Sequence, residues 1–449
     1  MEPTTQDPIV IIGAGLTGLA TALFLEHQGI TNYAIYEKNT QVGGLCRTVH
    51  KNGYTFDFTG HFLHINNKKT PELLDLFFPL NQWKKHTRYA QIYSHNRFVD
   101  YPYQQNLYGL PKKVIDECVN GFINKPQINH PTAYTDWVMT QFGAGFAQHF
   151  FYPYQEKIFS YPIEKLSSSW VQHFVPSTSL EDIKAGLENP HTRKKVGYNA
   201  EFYYPHCGGI QTMIERLAQK IKNPIHTNKK VINIDQHAKT ITFEDQTNTH
   251  YSTIINTSPL PELASILSNN QKSTVLVDAA TKLAWSRIIN INLGLDCPLP
   301  EHPINNKTRP PHWVYYPETH YPFYRACFPY LLDQAMVSAK KSSISIEVSI
   351  PHTQKDCSWG TITENTLNTM PYFKKINNLS SVIESAACLY LPYAYVTFNT
   401  WYDQNIPRIH EELEKLNIHS IGRYGGWKYT SMEDNLWDAY NTVQLITKH

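Results

Sequence analysis

Four consecutive apolar residues, Ile9 to Ile12, run into Gly13-Ala14-Gly15-Leu16-Thr17-Gly18 and then into small and apolar residues as far as Leu25. A short apolar run closed by glycine reads as a strand buried on both faces, and the small-residue stretch after it as a helix lying close upon it. A second strand, Tyr33 to Tyr36, follows and ends at Glu37. Arg88 to Val99 reads as short strands with a turn at His95-Asn96. The period then changes: Val114, Ile115, Cys118, Val119 and Phe122 recur at helical spacing within Pro111 to Ile123, and Tyr134 to Phe142 repeats the pattern. Alternation returns at Phe202 to Tyr204, and Gly208-Gly209 opens a helix through Lys220. Lys230 to Ile234, Thr240 to Glu244 and Thr253 to Asn256 read as strands. So do Arg287 to Leu293, Trp313 to Pro317, Tyr324 to Phe328 and Ser343 to Ile350, between loops marked by Pro298, Pro300, Pro303, Pro310 and Pro311. The tail carries Tyr393 to Asn399, an amphipathic helix from Ile409 to Leu416, and a closing helix to about Ile446.

These elements predict an α/β fold with three parts. A discontinuous Rossmann-like nucleotide domain takes residues 1–100, 200–285 and 390–449. A helical insertion takes 101–199, and an antiparallel β-sheet domain takes 286–389. The length of 449 residues suits several packed units, since single cores rarely grow beyond roughly 250 to 300 residues. With Lys plus Arg at 40 and Asp plus Glu at 38, the formal charge of +2 points to neither nucleic acid nor an acidic membrane as partner. Seven cysteines form no C-x-x-C pair and no zinc spacing, so reduced thiols and no metal are expected.

The glycine segment carries the first chemistry. Gly13 permits a tight turn, Gly15 lets the backbone approach a pyrophosphate, and Gly18 lets the helix sit close on its strand. The helix N-terminus offers free amides to phosphate charge. Glu37, nineteen residues after Gly18, stands where an acid accepts hydrogen bonds from adenosine ribose hydroxyls. A signal peptide or membrane span is the competing reading, because no charge falls between Pro8 and Leu25. The segment is short for a span, has Glu2 and Asp7 rather than a basic leader, and keeps its glycines at phosphate-binding spacing. A soluble, cytoplasmic protein with no integral membrane span is expected, its oligomeric state left open.

Gly43-Gly44-Leu45-Cys46-Arg47-Thr48, the Gly53-Tyr54-x-Phe56-Asp57 strand and Gly60-His61 resemble the amine-oxidase-like flavoprotein superfamily, which includes protoporphyrinogen oxidase and UDP-galactopyranose mutase. Tyr101-Pro102-Tyr103-Gln104-Gln105-Asn106-Leu107, Phe142-Gly143-Ala144-Gly145, Pro153-Tyr154-x-x-Lys157 and Asn199-Ala200-x-Phe202 are similar to segments of the eukaryotic-type mutases. So are Pro322-Phe323-Tyr324-Arg325-Ala326 and Gly422-Arg423-Tyr424-Gly425-x-Trp427-Lys428-Tyr429. The resemblance implies FAD, with NAD(P)H as external reductant, and a nucleotide-sugar substrate used in polysaccharide biosynthesis. It implies an isomerase in which reduced flavin N5 is the nucleophile on the anomeric carbon of UDP-galactopyranose, a covalent route with no net redox change.

By the same resemblance Arg325 reaches the substrate diphosphate, a task suited to a guanidinium that binds two oxygens at once. Tyr429, Tyr395 and Asn199 join it in holding substrate, and His61 lies beside the flavin. Leu16, Thr17, Lys38, Gly44, Leu45 and Arg47 are implied cofactor contacts. Gly60, Val231, Gly422, Arg423 and Met432 complete that set. Three departures point elsewhere. Phe174 stands where the mutases have a second substrate arginine, a loss worth about 2 to 3 kcal/mol unless Arg193, Lys194 or Lys195 replaces it. Lys428 replaces an arginine, and Gly43 to Thr48 reads more like the oxidases. The alternative is therefore an FAD oxidoreductase of the amine-oxidase or protoporphyrinogen oxidase type. A third reading is a flavin-binding protein without catalysis.

Overall fold

The computed structural model describes residues 7–171, 174–188, 200–268, 273–299, 310–354, 358–376 and 378–447. Ile9–Ile12 is the central strand of a five-stranded sheet among these residues. It pairs in parallel with Thr253–Asn256 on one side and Tyr33–Tyr36 on the other. Ile418–Ser420 and Ile225–His226 extend the sheet at its two edges, also in parallel. Val10 and Ile11 are fully buried, as a strand covered on both faces requires. The helix Leu16–His27 covers one face, and the closing helix Met432–Ile446 packs against it, with Phe24 and Tyr440 edge to face at 5.6 Å. A Cβ on Gly18 would lie 1.9 Å from the Gly13 carbonyl oxygen, so only glycine lets this helix approach the turn that precedes it.

A second sheet runs in the order Ile383–Leu391, Ser286–Leu295, Ser342–Pro351, Arg325–Cys327, Trp313–Tyr315, Ala90–Ser94 and Arg97–Asp100. Ser286–Leu295 and Ser342–Pro351 pair antiparallel along their whole length. The joint between Trp313–Tyr315 and Ala90–Ser94 is parallel. The hairpin Ala90–Asp100 thus hydrogen-bonds into this sheet and not into the nucleotide sheet with which its place in the chain groups it. Its turn is where the polar pair marks it, with His95 and Asn96 at φ +51° and +59°.

The helical layer comprises Lys112–Ile123, Tyr134–Phe146, a π-helical turn Ala147–Phe151, Tyr152–Phe159 and Leu180–Glu188. The second of these runs four residues past its expected end at Phe142, across a kink where Gly143 takes φ +78° and ψ 176°. Cβ atoms on Gly143 and Gly145 would meet the carbonyl oxygens of Gly121 and Glu117 at 2.0 and 2.2 Å. The Gly143-Ala144-Gly145 motif is therefore a helix-packing device.

Three elements differ from the sequence expectation. Ile383–Leu391 is an edge strand that exposes Ala386 and Cys388 and buries Ser385, so its sequence lacks the period-two signal. Trp83–Thr87 forms a two-stranded sheet with Glu201–Pro205. The helix read as Ile409 to Leu416 begins at Thr400, where the Asn399 side chain accepts the Tyr402 amide, and it carries Pro407 in its interior.

Candidate active site

The five-stranded and seven-stranded sheets and the loops beside them line a cavity of about 610 Å³, which Phe174 reaches from the helical insertion. One end is built on glycine. Gly13 takes φ +98° and Gly44 φ +59°. Gly43 N donates to Ala14 O at 2.8 Å, which bridges the two glycine segments into one floor. Gly15 stands against Gly44 with no side chain between them, and the helix that starts at Leu16 has no side-chain cap. Free first-turn amides at a glycine floor form a cradle for a phosphate group. Glu37 is buried and braces this floor: Oε2 accepts from Ala14 N at 2.9 Å, and Oε1 accepts from Asn39 N and Nδ2 at 2.9 and 2.6 Å. The Arg47 guanidinium lies 4.2 Å over the Phe58 ring and donates from Nε to Gly44 O at 2.8 Å. Lys38 spans to Glu262, its ammonium 2.9 Å from both carboxylate oxygens.

The other end is aromatic, with two arginines. Arg325 faces Glu347 across the strand pair. Its Nη2 donates to both Glu347 oxygens at 2.8 Å and its Nε to Oε1 at 3.1 Å. The Tyr324 hydroxyl donates to Oε2 of the same carboxylate. Glu347 is fully buried while the Arg325 side chain keeps 16% exposure, so the salt bridge is anchored from inside and Nη1 is the nitrogen left for a ligand. Burial disfavours the Arg325 charge, but Glu347 and the tyrosines outweigh it and raise its pKa well above the ordinary value. Among the described residues no carboxylate pairs with Arg423: it donates to Thr430 O at 2.8 Å and Ala394 O at 3.3 Å and lies 4.7 Å over the Tyr429 ring. Tyr429 stacks on Tyr395 at 6.1 Å, and Phe174 meets Tyr429 edge-on at 4.5 Å. Burial pushes the Tyr395 phenol up to about 12, against the neighbouring Arg325 charge. His61 is held down to about 4 by burial and by Arg423, so its ring is neutral at pH 7.

Gly13, Gly15, Leu16, Thr17, Glu37, Lys38, Gly44, Leu45 and Arg47 line the cavity, as do Gly60, His61, Val231, Arg423 and Met432. Arg325, Tyr395 and Tyr429 line it too. Gly18 and Gly422 stand behind its wall, where a Cβ on Gly422 would strike Thr17 Oγ1 at 2.6 Å. Asn199, Arg193, Lys194 and Lys195 lie outside the described residues. Glu347 is a cavity residue that sequence reasoning passed over. Its strand alternates Ile344, Ile346, Val348 and Ile350 with Ser343, Ser345, Glu347 and Ser349, which reads as one buried and one wet face. Here the polar face is largely covered too: Ser345 donates to Asn290 Oδ1, whose amide donates to Phe58 O.

A glycine cradle thus lies at one end of the cavity, and an arginine with an aromatic wall at the other. The family model described as flavin containing amine oxidoreductase matches residues 16–339. The chain belongs to this family. Membership implies a flavin cofactor, and the glycine floor fits its phosphates. The fold is shared with the crystal structure of reduced UDP-galactopyranose mutase at a TM-score of 0.88 and 25% identity, over 98% of this chain and 94% of that one. Wild-type putrescine oxidase bound to putrescine gives a TM-score of 0.63 at 13% identity, over 100% of both chains, a likeness of fold alone. Among curated proteins, 4,4'-diapophytoene desaturase (4,4'-diaponeurosporene-forming) of Staphylococcus aureus (strain bovine RF122 / ET3-1) is 51% identical over 49 residues. That match spans 11% of this chain and 10% of the desaturase. Among the described residues no helix is long and apolar enough to cross a membrane, and no cluster of His, Cys, Asp and Glu could hold a metal ion.

Proposed function

We propose that this chain is an FAD-dependent sugar-nucleotide mutase of the UDP-galactopyranose/galactofuranose type, with a nicotinamide cofactor as external reductant. The observation that carries the reading is the 0.88 TM-score over nearly the whole of both chains, at 25% identity. The composition of the cavity supports it. Gly13, Gly15 and the amides at Leu16 and Thr17 would hold the FAD diphosphate, and Arg47 and Met432 its middle portion. Bound and reduced, the flavin would supply a nucleophilic nitrogen for the anomeric carbon. Arg325 through Nη1, Arg423, and the hydroxyls of Tyr395 and Tyr429 would receive the substrate diphosphate and stabilise UDP as it leaves. Neutral His61 adds no charge there and serves as a hydrogen-bonding ring beside the cofactor.

An FAD oxidoreductase of the amine-oxidase type is the second reading, favoured by one observation: Glu347 neutralises Arg325, and Phe174 adds a ring where a further cation would help a diphosphate. UDP binding separates the two. Added UDP should perturb the flavin absorbance of the purified protein, and Arg325→Ala should weaken that binding about ten- to a hundredfold, the scale of a charge-assisted hydrogen bond. An absorbance unmoved by millimolar UDP would favour the oxidoreductase.

A further inference from the structure

The strands Thr253–Asn256 and Tyr33–Tyr36 flank the central strand Ile9–Ile12 in parallel, and both Asn256 and Tyr36 are level with Ile12. The chain therefore leaves all three strands at one edge of the sheet, where Gly13 opens its turn between two banks. One bank is Glu37, Lys38 and Asn39, which follow Tyr36. The other is Thr257, Ser258 and Pro259, which follow Asn256 and lead into the helix Leu260–Ser268. Both banks line the cavity, and so do Glu262 and Leu263 from that helix. In parallel sheets of this kind a nucleotide sits in the crevice beyond the carboxyl ends of the strands. An ion pair joins the banks across this crevice: the Lys38 ammonium is 2.9 Å from each Glu262 oxygen.

A carboxylate bordering a phosphate cradle repels the phosphate unless its own charge is met, so Glu262 needs a cation beside it. Among the described residues Lys38 is the only one within ion-pair distance. Lys229 and Lys230 also line the cavity, but they are held by Asp245 at 2.5 Å and Glu244 at 2.8 Å. Glu37, next to Lys38 in the chain, directs its carboxylate at Ala14 N and Asn39. Glu262 also reaches a third part of the wall. After burial, it is the group that raises the Tyr393 phenol pKa, and Tyr393 precedes Ala394, whose carbonyl accepts from Arg423 and Tyr424.

We infer, taking the cofactor to be FAD, that Lys38 and Glu262 form a clasp across the adenosine half of the cofactor site, which opens before the cofactor leaves. A dinucleotide held by the Gly13 turn and by Glu37 has the two banks on either side, and the ion pair ties those banks together. Glu262 is then a cofactor-retaining residue although it carries the same sign of charge as the phosphates. The pair is part-exposed, at 40% and 34%, so it slows release by a small factor and yields to salt. The opposite arrangement has Lys38 as a phosphate ligand for which Glu262 competes. Removing the Glu262 charge loosens the cofactor in the first case and tightens it in the second.

The test is the rate of flavin release from the full-length flavoprotein, followed by ultrafiltration, for wild type, Glu262→Gln, Lys38→Met and the double variant. Glu262→Gln should release flavin about three- to fivefold faster than wild type, the factor a part-exposed ion pair supplies. It should add nothing in the Lys38→Met background, because the pair is already broken there. Raising salt from about 0.05 M to about 1 M should bring wild type to the Glu262→Gln rate and leave that variant where it was. Unchanged or slower release from Glu262→Gln, additive effects in the double variant, or one salt response shared by all four proteins would each overturn the clasp. Chromatography of the released flavin tests the cofactor reading separately. FMN, which has no adenosine, would overturn both, whereas FAD with any of those three results overturns the clasp alone.

Discussion

Arg325 and Glu347 form a buried pair at the cavity wall in which the arginine keeps some exposure and the carboxylate none. Removing one partner of such a pair leaves an uncompensated charge and costs about 3 to 5 kcal/mol, while replacing both is often neutral. Arg325→Met should therefore lower unfolding stability strongly, and Arg325→Met with Glu347→Gln should recover most of the loss while UDP binding stays weak. Denaturant unfolding beside flavin titration checks this, and equal stability of the single and double variants would contradict the pairing. His61 gives a pH signature. Its pKa falls from 6.5 unfolded to about 4 folded, so the unfolded chain binds a proton first as pH drops. Relative to His61→Gln, wild type should lose stability progressively between pH 6.5 and 4, by up to about 3 kcal/mol, with no difference above pH 7. Parallel stability curves for the two proteins across that range would show that the imidazole is not held neutral. Arg325 and Tyr429 could be expected at the cavity because each sits in a recognisable string, Pro322 to Ala326 and Gly422 to Tyr429, whereas Tyr395 sits in none. Glu347 could not, because its partner is 22 positions away in the chain and opposite it only through the register of two strands.

Among the elements, the strand, turn and helix from Ile9 to His27 separate binding from packing. A side chain at Gly15 would meet Gly44 only at ordinary contact distance, 3.7 Å, but would project into the phosphate cradle. One at Gly18 would drive into the Gly13 carbonyl. Gly15→Val should give a folded, colourless protein with native far-ultraviolet dichroism, whereas Gly18→Val should fail to fold stably. A yellow, fully loaded Gly15→Val would place the cradle elsewhere. This part of the fold was legible because its hydrophobic pattern is local. The strand Ile383–Leu391 escaped because its exposed positions include Ala386 and Cys388 and its buried ones Ser385, which hides the alternation. The early start of the helix at Thr400 escaped because it depends on the Asn399 cap, and Pro407 masks the pattern inside it.

At the scale of the molecule, the parallel nucleotide sheet and the β-rich second half were readable as a class of fold. The joining of residues 90–100 to the second sheet was not, since it depends on a parallel pairing between Ala90 and Trp313 that no local pattern announces. The same non-local assembly makes the cavity, bringing a glycine floor from the start of the chain against Arg325, Tyr395, Arg423 and Tyr429 from its last third. The proposed chemistry needs that whole assembly and a reduced cofactor together. The direct measurement is therefore to reduce the flavin of the purified protein with dithionite under anaerobic conditions, add UDP-galactofuranose, and follow conversion to UDP-galactopyranose by chromatography. Conversion by the reduced protein and none by the oxidised protein is the predicted result. No conversion by a protein whose flavin is bound and fully reduced would contradict the mutase assignment.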